Sequence, residues 1–281
     1  MKVFNSINEL KCELAEQRLQ GKKIALVRTM GALHAGHASL VRKAATENDI
    51  VVVSVFVNPT QFNDKNDLAK YPRTLEADCE LLEREGADFV FAPSVEEIYP
   101  EEDKRQFSYP PLDTVMEGVY RPGHFNGVCQ VVSKLFMIAE PDKAYFGEKD
   151  FQQLAIIREM VRKEGFNLEI VGCPIIREID GLAMSSRNAL LSEEDRITAL
   201  NISKTLFESV DYSQNHSLKQ TKSFVEDSIS SVNGLRLEYF EIVDGETLQP
   251  VNEWSDSSYI VGCITVFCGG VRLIDNIKYR G

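Results

Sequence analysis

The chain is poor in histidine, has no closely paired cysteines and contains no long apolar run. Six cysteines, Cys12, Cys79, Cys129, Cys173, Cys263 and Cys268, are scattered and never spaced as CxxC. That argues against a zinc ribbon or a disulfide framework and for free, mostly buried thiols in a reducing compartment. No stretch of about 18 apolar residues occurs, so no membrane span is expected. The opening MKVFNSINELKCELAEQ lacks the apolar centre of a signal peptide and the Arg-rich, acid-poor character of a transit peptide. The cytoplasm is therefore the expected location. Excess positive charge is missing as well. A net charge of −12 argues against a nucleic-acid partner, which would need a basic face. Anionic small substrates remain open, provided a few cations converge locally. Neither a Walker GxxxxGK[ST] nor a GxGxxG fingerprint is present, and there is no internal repeat.

What is present is an alternation of apolar runs and amphipathic stretches. KIALVR (23–28) predicts a strand, 37–47 a helix, and IVVVSVFV (50–57) a strand buried on both faces and ended by Asn58-Pro59. LEADCELLEREG (75–86) predicts a helix stopped at Gly86, and DFVFA (88–92) a strand. Then come a helix over 124–140, a strand over 143–147, a helix over 150–165 and a strand over 168–174. This order predicts a Rossmann-like, doubly wound parallel-sheet α/β domain over 1–175. Beyond it, helices near 192–209 and 217–232 precede LRLEYFEIV, YIVGCITVF and VRLIDNI. These predict a smaller α+β domain over 176–281. DYSQNHSLKQTKS (211–223) reads as the connection between its helices.

Two of the four histidines share one turn, MGALHAGH (30–37), directly after the first buried strand. A strand, a glycine-bearing turn and a helix start make an anion site, because the first N–H groups of the helix lack partners. Gly31 permits an unusual backbone angle, and Gly36 lets a ligand approach the backbone. His34 and His37 flank Gly36, and each can donate to phosphate oxygens. The plainer reading is two histidines that cap the helix or face water. A zinc reading lacks an obvious third ligand.

The chain resembles a known family at this point. HxGH at a first strand–helix turn is similar to the adenylyl-transfer superfamily of nucleotidylyltransferases and class I aminoacyl-tRNA synthetases. TMGALHAGH, FVNPTQF, YPRT, YRPGHFNGV, YFGEKDFQQ and DGLAMSSRN, in that order, resemble the pantoate–β-alanine ligases. The resemblance runs from about residue 20 to 200 and weakens toward the C-terminus. It implies ATP, pantoate and β-alanine as substrates, a pantoyl-adenylate intermediate, Mg²⁺ with the nucleotide and a homodimer. It also implies that the smaller domain closes over the site.

The resemblance implies roles for individual residues. Met30, Gly31, His34, Gly36 and His37 would form the first part of the ATP site, with His37 the donor to developing charge and His34 a phosphate contact. Gly147, Glu148, Lys149 and Asp150 would form the second part, with Lys149 the cation on the phosphates. Asp150 is equally a candidate N-cap. Ile176 would meet the adenine through its backbone. Met184, Ser185, Ser186 and Arg187 match a mobile signature whose hydroxyl and guanidinium groups take pyrophosphate oxygens. Gln61 and Gln153 would contact pantoate and β-alanine, and it is the resemblance that chooses Gln153 over Gln152. Asp78 matches one magnesium position, although an acidic residue in that helix also suits a solvated face. His124 reads as helix cap and wall.

Two letters depart from the family pattern. Arg28 stands where most members have proline, and it either aids ATP binding or points into solvent. Ala35 stands where members often carry an acid. Two alternatives remain: a nucleotidylyltransferase acting on a phosphorylated small molecule, and a non-catalytic nucleotide sensor.

Overall fold

The structure, a computed structural model, describes residues 1–62, 68–69 and 71–281. By packing it divides into two compact units. The first comprises residues 1–109, 120–148 and 156–174, and the second residues 110–119, 149–155 and 175–281.

The first unit is built on a six-stranded parallel sheet in the order β1-β4-β3-β2-β5-β6. The strands are β1 (Lys2–Phe4), β2 (Ile24–Thr29), β3 (Ile50–Val55), β4 (Phe89–Phe91), β5 (Lys143–Gly147) and β6 (Glu169–Cys173). β2 and β3 are buried almost throughout, as their unbroken β-branched and apolar runs require of central strands covered on both faces. Five of these strands match the apolar runs in the sequence. β1 does not. It is three residues long, pairs with β4 at the sheet edge, and carries no run of its own.

Helix α1 (Ile7–Leu19) is also invisible as a pattern. Only Leu10 and Leu14 are buried, one turn apart on an otherwise polar segment. α2 (Ala35–Glu47) and α3 (Leu75–Arg84) lie where the periodicity puts them, with α2 beginning two residues earlier than expected. The long helix α4 (His124–Ala139) is buried nearly all round. Such a helix needs partners on several sides. The strand order reverses between β2 and β5. In open parallel sheets ligands bind outside the carboxyl ends of strands at such a switch point, and the histidine turn leaves the carboxyl end of β2.

The second unit carries an antiparallel sheet of β7 (Leu235–Asp244), β8 (Ile260–Cys268) and β9 (Val271–Arg280). Helices α5 (Glu193–Ser213) and α6 (Leu218–Ser230) contribute Ala199, Ile202, Leu206, Val225 and Ile229 to a core shared with Phe240, Ile264 and Val266. The fold is thus α/β with a separate, smaller C-terminal sheet domain. The polar stretch 211–223 is mostly helical, and only Gln214–Ser217 connects the two helices. Its serine explains why: Ser217 and Gln220 form a reciprocal capping box that starts α6.

All six cysteines are free. Cys12 is exposed, and Cys129, Cys173, Cys263 and Cys268 are buried. Burial pushes the Cys173 thiol up to about 11 and the Cys263 thiol up to about 12, so both stay protonated and act as small apolar side chains. Among the described residues no helix is long and apolar enough to cross a membrane.

Candidate functional site

The histidine turn is held by three separate devices. Thr29, at the end of β2, donates its hydroxyl to the Ser54 carbonyl (2.8 Å) and accepts the Gly31 N–H (3.3 Å). Gly31 and Ala32 then take positive φ, 84° and 50°. Two successive left-handed residues turn their N–H groups inward. A side chain at Gly31 would be strained by that φ and would press on Asp78 Oδ2 (3.1 Å) and Val55 (3.3 Å).

The second device is Asp78 of α3. Its Oδ2 accepts the Ala32 N–H (3.0 Å), and its Oδ1 accepts the Leu33 N–H (2.8 Å) and the Thr74 hydroxyl (3.1 Å). At 3% exposed, Asp78 does not belong to the solvated face of its helix. Both of its oxygens accept backbone N–H groups of the turn, so the residue has a structural task there. Asp78→Asn should therefore unfold more easily. The amide places an NH₂ where an oxygen accepts a backbone N–H, and a hydrogen bond to a charged group contributes about 1.5–3 kcal/mol. Urea unfolding measures that loss. The Mg²⁺ concentration giving half-maximal activity should stay as in the wild type, whereas loss of a metal ligand would raise it.

The third device is the histidine pair. His34 is the N-cap of α2, and its Nδ1 accepts the Gly36 N–H (3.1 Å). His37, at the third helical position, accepts the His34 N–H at Nδ1 (3.4 Å). The rings lie 4.1 Å apart, centroid to centroid. A backbone N–H can only donate, so both Nδ1 atoms are unprotonated. The neutral rings carry their protons on Nε2. The capping reading and the donor reading are therefore compatible: each Nδ1 holds the backbone, and each Nε2–H is a donor beside a helix N-terminus. Such a set suits an oxyanion.

Gln61 lies in a one-turn 3₁₀ helix, Pro59–Gln61, after β3 and is 5% exposed. Its Oε1 accepts from the Arg28 guanidinium and from Asn58 Nδ2 (3.4 Å), and its Nε2 faces Met30 Sδ (3.1 Å). His124 Nδ1 donates to the Gln61 carbonyl (2.8 Å). His124 thus ties the start of α4 to the Gln61 turn, and it carries its proton on the nitrogen opposite to that of the turn histidines. The sequence marked Asn58 only as the end of a strand and did not single out Gly127. Asn58 Oδ1 accepts the Thr60 N–H (3.4 Å), an Asx turn for which Asn-Pro was an available signal. Arg28 is therefore not simply directed into solvent, because it engages Gln61.

Gly147 ends β5, and Glu148–Asp150 form a 3₁₀ turn ahead of the helix Phe151–Glu164. In the second unit the Lys149 carbonyl accepts from Asn276 Nδ2 (3.1 Å), and among the described residues the Lys149 side chain makes no ion pair. Gln152 is consumed by the protein. It donates to the Leu112 (2.7 Å) and Val115 (2.8 Å) carbonyls and accepts the Glu117 N–H (2.9 Å). The Gln153 side chain makes no hydrogen bond among the described residues and is half-buried. The Met184 N–H bonds the Ile176 carbonyl (3.0 Å), closing a hairpin around Gly181 that ends at Ser185. Ser185 Oγ accepts the Arg187 N–H (3.2 Å) and starts the turn Ser186–Leu190. Asn188 braces that turn through Glu178 (2.6 Å) and the Ala183 carbonyl (3.1 Å).

Comparison with known proteins agrees over the whole chain. The family model described as pantoate-beta-alanine ligase matches residues 2–278. The pantothenate synthetase of Phocaeicola vulgatus is 72% identical, with all of both chains covered. That of Porphyromonas gingivalis is 57% identical, again with full coverage of both. The crystal structure of pantothenate synthetase from Thermus thermophilus superposes with a TM-score of 0.94 at 42% identity and covers all of both chains. A pantoate-beta-alanine ligase from Francisella tularensis, solved with beta-gamma ATP and beta-alanine, superposes with a TM-score of 0.83 at 35% identity, covering 99% of this chain and 98% of that one. A parallel sheet with a histidine-capped turn at its switch point, the ordered motifs and these full-length matches agree: the chain belongs to the pantoate–β-alanine ligase family.

Proposed function

We propose that the protein condenses pantoate with β-alanine at the expense of ATP. The pantoate carboxylate attacks the α-phosphorus. The new P–O bond forms as the bond to the β-phosphate oxygen breaks, and pyrophosphate leaves. The β-alanine amine then attacks the acyl carbon of the pantoyl-adenylate. AMP leaves, the nitrogen loses a proton, and pantothenate results. Adenylation is needed because oxide is a poor leaving group and AMP is a good one. The observation that carries this reading is the histidine pair whose Nδ1 atoms accept backbone N–H groups at the switch point of the sheet, an arrangement that leaves Nε2 of each ring as the donor.

In this reading His37 and His34 meet the phosphates, and the start of α2, with Met30, Gly31 and Gly36, receives the nucleotide. Gly147, Glu148, Lys149 and Asp150 form the next part of the ATP site, with Lys149 as its cation. Ile176 and Met184 border the nucleotide, and Ser185, Ser186 and Arg187 take the leaving pyrophosphate. Gln61 and Gln153 hold the acid and the amine. Gln153 suits that role because its amide is not consumed within the described protein, as that of Gln152 is. Mg²⁺ would come with the triphosphate, held by phosphate oxygens and water. A homodimer and a cytoplasmic location complete the proposal.

Isotope exchange between pyrophosphate and ATP tests it. Exchange should require pantoate and proceed without β-alanine. Exchange independent of pantoate would move the assignment to a nucleotidylyltransferase. ATP binding with no AMP formed from pantoate and β-alanine would indicate a nucleotide sensor.

A further inference from the structure

We infer that Arg28 is a positioning residue for Gln61, setting its amide so that both N–H groups face an acceptor and the pocket selects a carboxylate. The inference rests on the reading that Gln61 contacts the acid.

A chain of directed hydrogen bonds fixes the amide. Asn58 is the anchor. Its Oδ1 accepts the Thr60 backbone N–H (3.4 Å) and the Tyr99 hydroxyl (2.9 Å). Burial raises the Tyr99 phenol above its ordinary value, so it remains a donor at neutral pH. Asn58 Nδ2 donates to the Gly127 carbonyl (3.1 Å). A backbone N–H on one side and a carbonyl on the other fix which way the Asn58 amide points. The second contact of its Nδ2, to Gln61 Oε1 (3.4 Å), is then a donor meeting an oxygen.

Arg28 reinforces that direction. A guanidinium carries donors only, so the atom of Gln61 that it touches must be Oε1. Rotating the amide would turn the Gln61 NH₂ onto two donors. Arg28 and Asn58 thus converge on one oxygen and leave Nε2 on the other side. There, among the described residues, the protein offers only Met30 Sδ (3.1 Å), a weak acceptor. Gln61 is 5% exposed, so bulk water does not satisfy it. A buried NH₂ without a strong acceptor favours an oxygen-rich ligand, and a carboxylate fits better than any group that presents N–H. The Arg28 charge acts in the same direction, in a protein that is otherwise strongly acidic.

The test uses pantoate-dependent pyrophosphate–ATP exchange with the full-length protein. Pantoate is the substrate, and its carboxamide is added as the competing ligand. Arg28→Ala should raise the KM for pantoate about tenfold or more and leave the KM for ATP within about twofold. Preference for carboxylate over carboxamide should fall by a similar factor. Arg28→Lys, which keeps the charge and loses the fork, should recover part of both. In a Gln61→Ala background, Arg28→Ala should add little, because the group it positions is gone. Equal losses in the two backgrounds, or a change in the KM for ATP instead, would overturn the inference. A second measurement does not depend on the substrate. The ¹⁵N-labelled Gln61 side-chain amide should be protected from solvent exchange in the wild type and lose protection in Arg28→Ala, with the melting temperature nearly unchanged. Unchanged protection overturns the inference even if exchange proves independent of pantoate, and that latter result would count against the proposed function alone.

Discussion

His37→Ala should slow pantoate-dependent adenylate formation by about 100-fold or more, a loss of at least about 2.7 kcal/mol of transition-state stabilisation. The size follows from what the ring does in two directions. Its Nδ1 accepts the His34 N–H at 3.4 Å, a long bond whose loss removes no more than the 0.5–1.5 kcal/mol of an ordinary hydrogen bond, roughly, from stability. In the proposed function its Nε2–H is a preorganised donor where negative charge would grow on the phosphate. Losing the cap cannot account for a 100-fold effect, whereas losing the donor can. Exchange kinetics and urea unfolding of the same variant separate the two. The rate should collapse while the unfolding midpoint shifts only slightly. Near-normal turnover would remove His37 from the proposed chemistry. A large drop in stability with a matching loss of activity would make it a structural cap.

Gly127→Ala should disable the proposed acid pocket from behind. A Cβ on Gly127 would stand 2.4 Å from the Thr60 carbonyl oxygen, 2.6 Å from its carbon and 2.9 Å from Gln61 Cα. All three are backbone atoms, so no flexible side chain can give way. Helix α4 and the 59–61 turn must separate, which breaks the Asn58 bond to the Gly127 carbonyl and the His124 bond to the Gln61 carbonyl. Overpacking of this kind costs about 1–3 kcal/mol. The specific effect is larger on function. The KM for pantoate should rise at least tenfold, since a misplacement of about 1 Å can cost 100-fold in rate, while the KM for ATP moves little. Parallel measurement of both constants decides the matter. A uniform fall in kcat with unchanged constants for both substrates would mean that the helix and turn can separate without moving Gln61.

Much of the candidate site was legible because it lies where a pattern breaks. IVVVSVFV ends at Asn58-Pro59, KIALVR ends at a glycine turn, and such breaks after buried strands mark the carboxyl ends where sheets bind ligands. Asp78 was not legible. In the sequence it is one acid among several in an amphipathic helix, and nothing local says that it turns inward to take two backbone N–H groups some 45 residues away. Gln152 and Gln153 were distinguishable only by resemblance. Adjacent helical residues differ in surroundings rather than in chemistry, and it is the segment 112–117 that consumes the first. The missed β1 and α1 fail for the same reason. A three-residue edge strand and a helix burying two leucines are stabilised by what they pack against, not by a pattern of their own.

The sequence alone determined the class of the fold, because unbroken apolar runs alternating with amphipathic helices have few ways to be buried other than a parallel sheet covered on both faces. It also placed the two histidines at a helix start, since that follows from one strand, one turn and one periodicity. The tertiary structure decided which nitrogen of each ring carries the proton, which way the Gln61 amide points, and that Arg28 reaches it. Those facts depend on donors and acceptors brought from distant segments, from Asn58, Gly127 and His124 around Gln61 and from Asp78 beneath the turn. Hydrogen-bond direction is set by the partner, and the partner is known only once the chain has folded.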